Sequence, residues 1–222
     1  MTVPAVQVLA PRDDADLDAV RAVMRDFVTW HRSRHVADRQ LVEAYFDDAA
    51  FDREVAQVHL KYAPPDGGLL LALLDGAPVG CVALRRLDEK TCEMKRMFVR
   101  PPSQQRGVGL ALARTIIAVA VDAGYRTMVL DTSVRQREAI ALYRRLGFTD
   151  VPAYYDVPEA LAKWLVFMSL ELRPAGPPGR APSADELFRV EGGRGAGSCG
   201  PSGGEDSPCD GDDQSAEDQR NE

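Results

Sequence analysis

The 222-residue chain is short of the residues that staple or metallate small proteins: it has 4 cysteines and 3 histidines. Cys81 and Cys92 fall inside apparent strands, Cys199 and Cys209 in a polar end segment, and no Cys-x-x-Cys pair occurs. A disulfide scaffold and a zinc ribbon are thereby excluded, no metal site is expected, and a reduced, cytoplasmic setting fits best. No stretch approaches the ~20 apolar residues of a membrane span. The opening MTVPAVQVLAPRDD lacks the basic flank and apolar core of a secretory signal, so no membrane partner is expected. A net positive charge is also lacking. Of the net charge of −7, residues 173–222 carry −6, which leaves −1 for residues 1–172. A phosphate-backbone binder needs a basic face, so nucleic acid is excluded as a partner.

What is present divides the chain in two. Residues 1–172 hold periodic apolar segments. Residues 173–222 are rich in Pro, Gly, Ser and acids, with almost no large apolar side chains. Such a composition cannot bury enough surface to offset its ordering entropy, so a disordered tail is expected there.

Residues 5–9 (AVQVL) read as a strand. Leu17, Val20, Met24, Phe27 and Val28 then recur at helical spacing, after acids in the first turn. A second helical region, about 38–61, carries Leu41, Tyr45, Phe46, Val55 and Val58. Two apolar runs flank Asp75-Gly76, the dipeptide of a tight hairpin. A strand over 91–100 stops at Pro101-Pro102 and is followed by a helix over 107–123. Residues 126–132 read as a strand, 135–148 as a helix ended by Gly147, and 163–172 as a last strand. The order predicts an α/β fold with a mixed sheet and helices on its faces.

The segment Gln104-Gln105-Arg106-Gly107-Val108-Gly109-Leu110 places glycines where a helix begins. A Walker loop would need lysine and then Ser or Thr after its glycine, but Leu110 and Ala111 follow Gly109. A dinucleotide fingerprint would need a third small residue where Leu112 stands. The segment does resemble the (Gln/Arg)-x-x-Gly-x-(Gly/Ala) signature of the GNAT (Gcn5-related N-acetyltransferase) superfamily. CEMKRMFVRP resembles that family's preceding strand, and EAIALYRRLGF its C-terminal helix and turn. The resemblance spans about 1–172, and KYAPP, CEMKRMFVRP and AYYDVP resemble a branch of small bacterial acetyltransferases.

The resemblance implies a central mixed sheet whose fourth and fifth strands splay apart, and acetyl-CoA as co-substrate. Helix-start amides left without intrahelical partners would take the pyrophosphate, and glycines let the backbone approach it. This assigns Gln104, Gln105, Arg106, Gly107, Val108, Gly109 and Leu110 to the coenzyme, although Arg106 could equally point to solvent. By the same resemblance Met97, Phe98 and Val99 bind the pantetheine arm through their backbones, and Gln136 replaces an amide that bonds it.

Acetyl transfer to an amine needs a proton donor for the leaving thiolate, and the amine must be neutral to attack. Tyr143 matches the family's general acid, and a phenol is protonated at neutral pH. It also sits on an apolar helix face with Ile140, Leu142 and Leu146. Glu93 is the leading base candidate, and Asp131 a weaker one. The alternative for Glu93 is an exposed strand residue paired with Lys95 on the same face. Tyr154 and Tyr155 are expected near the acceptor, and Val157 departs from the asparagine many relatives carry. His31, His35 and His59 read as surface or helix-packing residues.

The expected activity is transfer of an acetyl group to a primary amine, of a small metabolite or alternatively of a protein terminus or lysine. A non-catalytic acyl-CoA sensor is the rival from another class. A homodimer through the last strand is a further expectation of the resemblance.

Overall fold

The computed structural model describes residues 5–173. The expected disordered tail, with Cys199 and Cys209, lies outside the described residues apart from Arg173. Strands β1 (Val6–Leu9), β2 (Gly68–Leu74), β3 (Ala77–Arg86), β4 (Thr91–Val99), β5 (Thr127–Ser133), β6 (Thr149–Val151) and β7 (Leu165–Glu171) form a seven-stranded sheet, ordered β1-β2-β3-β4-β5-β7-β6. Helices α1 (Asp14–Arg34), α2 (Arg39–Tyr45), α3 (Asp48–Ala56), α4 (Val58–Lys61), α5 (Val108–Asp122), α6 (Arg137–Arg145) and α7 (Glu159–Ala162) cover its faces.

Local chemistry explains the boundaries. Asp13 caps α1 by accepting from the Asp16 amide at 2.9 Å, and basic residues close its last turn, which complements the helix dipole. The helical region expected over about 38–61 holds three short helices. Asp47 accepts from the Ala50 amide at 2.6 Å and so starts a new helix where the old would have continued; such a cap contributes about 1 kcal/mol. Asp75 and Gly76 both have positive φ, 51° and 82°, which twists the β2–β3 hairpin in the sense its strands require.

Two hydrophobic layers sandwich the sheet. On one face Leu112 and Ile116 of α5 pack with Val82, Leu84, Met94 and Leu130. On the other, Val20 and Met24 of α1 and Val55 of α3 pack with Leu71, Ala83 and Phe98. The short β6, not read from sequence, pairs with Phe167, Met168 and Ser169 at the middle of β7. Since β5 lies on the other side of those residues, β7 offers no free central edge for a dimer.

Two irregularities position the site. First, β4 pairs with β5 in parallel only from Thr91–Thr127 to Glu93–Val129. Beyond that point β5 stays paired to β7, while the β5-facing edge of β4 has no strand partner among the described residues, so the two strands splay as a V. Second, β4 bulges: Cys81 faces Phe98 and Ala83 faces Lys95, so Arg96 and Met97 together oppose Val82. Arg96 has φ 56°, a left-handed conformation that a bulky side chain rarely adopts. A bulge bends its strand and shifts the side-chain alternation by one. Cys92 and Met94 face the α5 layer before it, and Met97 and Val99 after it.

Candidate active site

The V between β4 and β5 opens into a cleft of about 250 Å³. Met97, Phe98 and Val99 line its β4 wall, and Leu130, Asp131 and Thr132 its β5 wall. Gln104, Gln105 and Gly109 form one end, and Gln136 and Tyr143 contribute from α6. Arg106, Gly107, Val108 and Leu110 build the adjoining turn and do not line the cleft. Val108 is buried in the core, and Arg106 is exposed.

The turn has the properties a phosphate cradle needs. Gly107 sits at φ 82°, and a Cβ there would point into open space, meeting nothing within 4 Å beyond its own chain neighbours. The first α5 amide bonded to a backbone carbonyl is Ala111, which donates to Gly107 at 3.0 Å. Among the described residues, no backbone amide from Gln105 to Leu110 donates to a backbone carbonyl. Such clustered donors at a helix start, next to a cleft, fit an anionic diphosphate. Gln104 is engaged differently: its side-chain amide donates to the Val99 carbonyl at 2.9 Å and ties the turn to the end of β4.

Tyr143 is buried, and burial raises its phenol well above the usual range. Among the described residues its hydroxyl has no hydrogen-bond partner, so the proton is available to the cleft. Gln136 is also buried, with its side-chain nitrogen 2.9 Å from Nε2 of His31. His31, read from sequence as a surface or helix-packing residue, is 4% exposed and also lines the cleft. Burial, with the charges of His35, Arg96 and Arg34, lowers its pKa to about 3, so its ring is neutral. His35 is buried beside it, whereas His59 is exposed.

The two carboxylates singled out in the sequence meet through one cation. Lys95 Nζ lies 2.9 Å from Asp131 Oδ1 and 3.3 Å from Glu93 Oε1. Glu93 is fully buried; Arg85 donates to its other oxygen, and Tyr154 donates to Oε1 at 2.7 Å. It lines no part of the cleft. Asp131 does, and it accepts from Tyr45 at 2.6 Å and Tyr155 at 3.1 Å. Burial alone would raise its pKa, but the Lys95 charge and these hydrogen bonds outweigh that and hold it below the carboxylate range.

A second cavity of about 290 Å³ adjoins, with Tyr45, Lys95 and Arg96 common to both walls. Tyr155, Val157 and Arg85 line it, whereas Tyr154 packs against Phe167 behind it. Arg96, Arg85, Tyr45 and His31 were not singled out from sequence as site residues. Arg96 was hidden because alternation without the bulge assigns it to the opposite face.

Among the described residues, no group of His, Cys, Asp and Glu could hold a metal ion. No helix is long and apolar enough to cross a membrane among them.

Comparisons with known proteins agree with this geometry. The profile of the Acetyltransferase (GNAT) family matches residues 28–148. An uncharacterized N-acetyltransferase of Schizosaccharomyces pombe is 35% identical over 143 residues, which are 60% of this chain and 86% of that one. N-acetylaspartate synthetase of Danio rerio is 33% identical over 121 residues, 54% of this chain, and the match spans 43% of that protein's length. The fold is also that of PaiA N-acetyltransferase from Thermoplasma acidophilum, solved in complex with coenzyme A. There the TM-score is 0.55 at 14% identity, covering 75% of this chain and 99% of that one.

Proposed function

Because the chain belongs to the GNAT acetyltransferase family, whose members move acetyl groups from acetyl-CoA to amines, we propose that its cleft acetylates the primary amine of a small metabolite. One observation carries the placement of the coenzyme. The unpaired edge of β4 leads directly to the unbonded amides of Gln105 to Leu110, a continuous run of backbone donors and acceptors beside a cleft. The backbones of Met97, Phe98 and Val99 would hold the pantetheine arm. The turn at Arg106 to Gly109 would hold the pyrophosphate, and Gln136 would add an amide contact steadied by His31. The enzyme is read as cytoplasmic, in keeping with its free, buried Cys81 and Cys92.

Acetyl-CoA supplies the acetyl group already activated as a thioester. The acceptor nitrogen attacks the carbonyl carbon directly, so a C–N bond forms as the C–S bond breaks. Tyr143 donates its proton to the departing sulfur and regains one from solvent. The amine proton leaves to solvent, because both candidate acceptors are occupied: Glu93 by Arg85, Lys95 and Tyr154, and Asp131 by Lys95, Tyr45 and Tyr155. Glu93 thus acts as a positioning residue that holds Tyr154 and Lys95 at the acceptor end. The similarity to N-acetylaspartate synthetase, whose name states a small acetylated amine, supports a small acceptor.

The test is release of free coenzyme A thiol by the full chain from acetyl-CoA with a panel of small primary amines. Turnover with at least one amine, with intersecting initial-velocity lines, is expected. Absence of release with every small amine, in protein that binds acetyl-CoA, overturns the proposal.

A further inference from the structure

The second cavity has an unusual wall. Its charged lining residues are Arg85, Lys95 and Arg96, with no acid among them. The carboxylates that pair with these cations are buried behind the wall, with side-chain exposures of 6% for Glu54, 0% for Glu93 and 1% for Asp131. Two ion-pair clusters stand behind the wall: Arg85 and Lys95 are balanced by Glu93 and Asp131, whereas Arg96 shares Glu54 with Lys61, which leaves one positive charge in excess beside Arg96. Tyr62, Tyr154 and Tyr155 touch these clusters but cannot balance the excess: burial, together with neighbouring negative charge, raises each phenol and keeps it neutral.

The open donors are on the arginines. Lys95 spends its ammonium on Asp131, Glu93 and, at 3.5 Å, Tyr45. Arg96 uses Nε and Nη2 on the two oxygens of Glu54. Arg85 uses Nε alone, and its side chain remains 39% exposed. Among the described residues, both Nη groups of Arg85 and Nη1 of Arg96 have no acceptor. Partly enclosed guanidiniums with planar, unfilled N–H groups, one of them beside an excess positive charge, make the arrangement that recognises a carboxylate.

We infer that the acceptor amine also carries a carboxylate, bound in the second cavity by Arg85 with Nη1 of Arg96. This inference rests on the small-molecule reading above and deepens it. The amine end then extends past Tyr45 and Lys95, common to both cavities, toward Asp131 on the β5 wall. A substrate with an acid at one end places it on the unfilled arginine donors and carries its amine into the cleft, where Asp131 is already held by Lys95, Tyr45 and Tyr155. A polyamine meets three cations and no exposed acid at the same place, so the cavity discriminates against it.

The test measures acetyl transfer by the full chain to glycine, L-alanine, L-aspartate and L-glutamate, each against its own primary amide, with spermidine as the cationic competitor. An amide lowers the basicity of the neighbouring amine and raises its neutral fraction, so a preference for the acid opposes intrinsic reactivity. The expected result is a kcat/KM at least about ten-fold higher for one acid than for its amide, a factor that one charge-assisted contact supplies. Arg85→Gln is expected to raise KM for that acid, leave kcat less affected, and bring the acid-to-amide ratio toward one. If Arg85→Gln does not fold, because Glu93 loses a partner, Arg85→Lys keeps the charge and removes the fork. The same ratio is then expected to fall by a smaller factor. Amides or spermidine used as well as the acids, or an acid-to-amide ratio unchanged in a folded Arg85 variant, overturns this inference alone. Transfer to no small amine, with acetyl-CoA still bound, overturns the small-metabolite reading and this inference with it.

Discussion

Arg96 and Glu54 lock the bulge of β4 to α3. Arg96 Nε donates to Glu54 Oε1 at 2.6 Å and Nη2 to Oε2 at 2.9 Å, while its guanidinium lies over the rings of Phe46 and Phe51. The pair accounts for an arginine held at φ 56° in mid-strand, a conformation that costs about 1–3 kcal/mol and persists only where its surroundings enforce it. The bulge bends β4 away from β5 and puts Arg96 and Lys95 on the acceptor side together. Cleft shape and acceptor charge therefore depend on one ion pair.

Glu54→Ala is accordingly expected to destabilise the protein by about 3–5 kcal/mol, the usual effect of leaving one member of a buried pair alone. Urea denaturation measures it. A loss under about 1 kcal/mol, the range of exposed pairs, contradicts the lock.

Acid sensitivity follows from two groups with the same sign. The pKa of Glu54 is held at about 2, since Arg96, Lys61 and Tyr62 outweigh the burial that alone would raise it. Its contribution is full above the unfolded value of 4.5 and is lost as pH falls toward about 2. His31 falls from 6.5 to about 3, chiefly by burial. Between those values the unfolded chain binds a proton that the fold refuses, so stability declines as pH drops through that window. His35, also lowered first by burial, adds in the same direction. His31→Gln is expected to flatten the dependence of stability on pH between 6.5 and 4.5, where Glu54 is still silent. Urea midpoints across that range check it; an unchanged slope contradicts the assignment.

The two loop glycines are expected to respond oppositely. Gly107→Val forces a β-branched residue to φ 82°, at a cost of about 1–2 kcal/mol, and weakens acetyl-CoA binding as the turn shifts. At Gly109 an added Cβ meets Leu142 at 3.6 Å and Met97 at 3.7 Å, ordinary contacts. Gly109→Ala should therefore stabilise α5, by up to about 1 kcal/mol. Calorimetric binding and urea unfolding on both variants decide it, and equal effects contradict the distinction.

Glu93 separates a positioning role from proton acceptance. Glu93→Gln leaves Arg85 and Lys95 less compensated, so both stability and KM should worsen. The pH at which kcat/KM rises should stay where it is in the wild type. Loss of that rise would show that Glu93 is the base.

The hairpin at Asp75-Gly76 and the turn at Gly107 are legible in the sequence because each depends on a few neighbouring residues and their φ preferences. The same is true of α1, whose cap and apolar stripe are local. The helical region over 38–61 was legible from its apolar residues, but its division at Asp47 was not, because a capping side chain starts a new helix there. Arg96 was not legible, because a bulge is defined only by the register of the partner strand. Gln136 and His31 are 105 residues apart in sequence. Arg85, Glu54 and Tyr45 likewise converge from separate elements, and no spacing rule joins them.

The most direct test of the account compares wild type and Tyr143→Phe in coenzyme A release with the best small amine. The hydroxyl has no partner among the described residues, so the thermal midpoint should barely move. General acid catalysis contributes about 10²-fold or more, and kcat should fall by about that factor while acetyl-CoA affinity is retained. Unchanged turnover in the folded variant would contradict Tyr143 as the proton donor, and with it the chemistry assigned to this cleft.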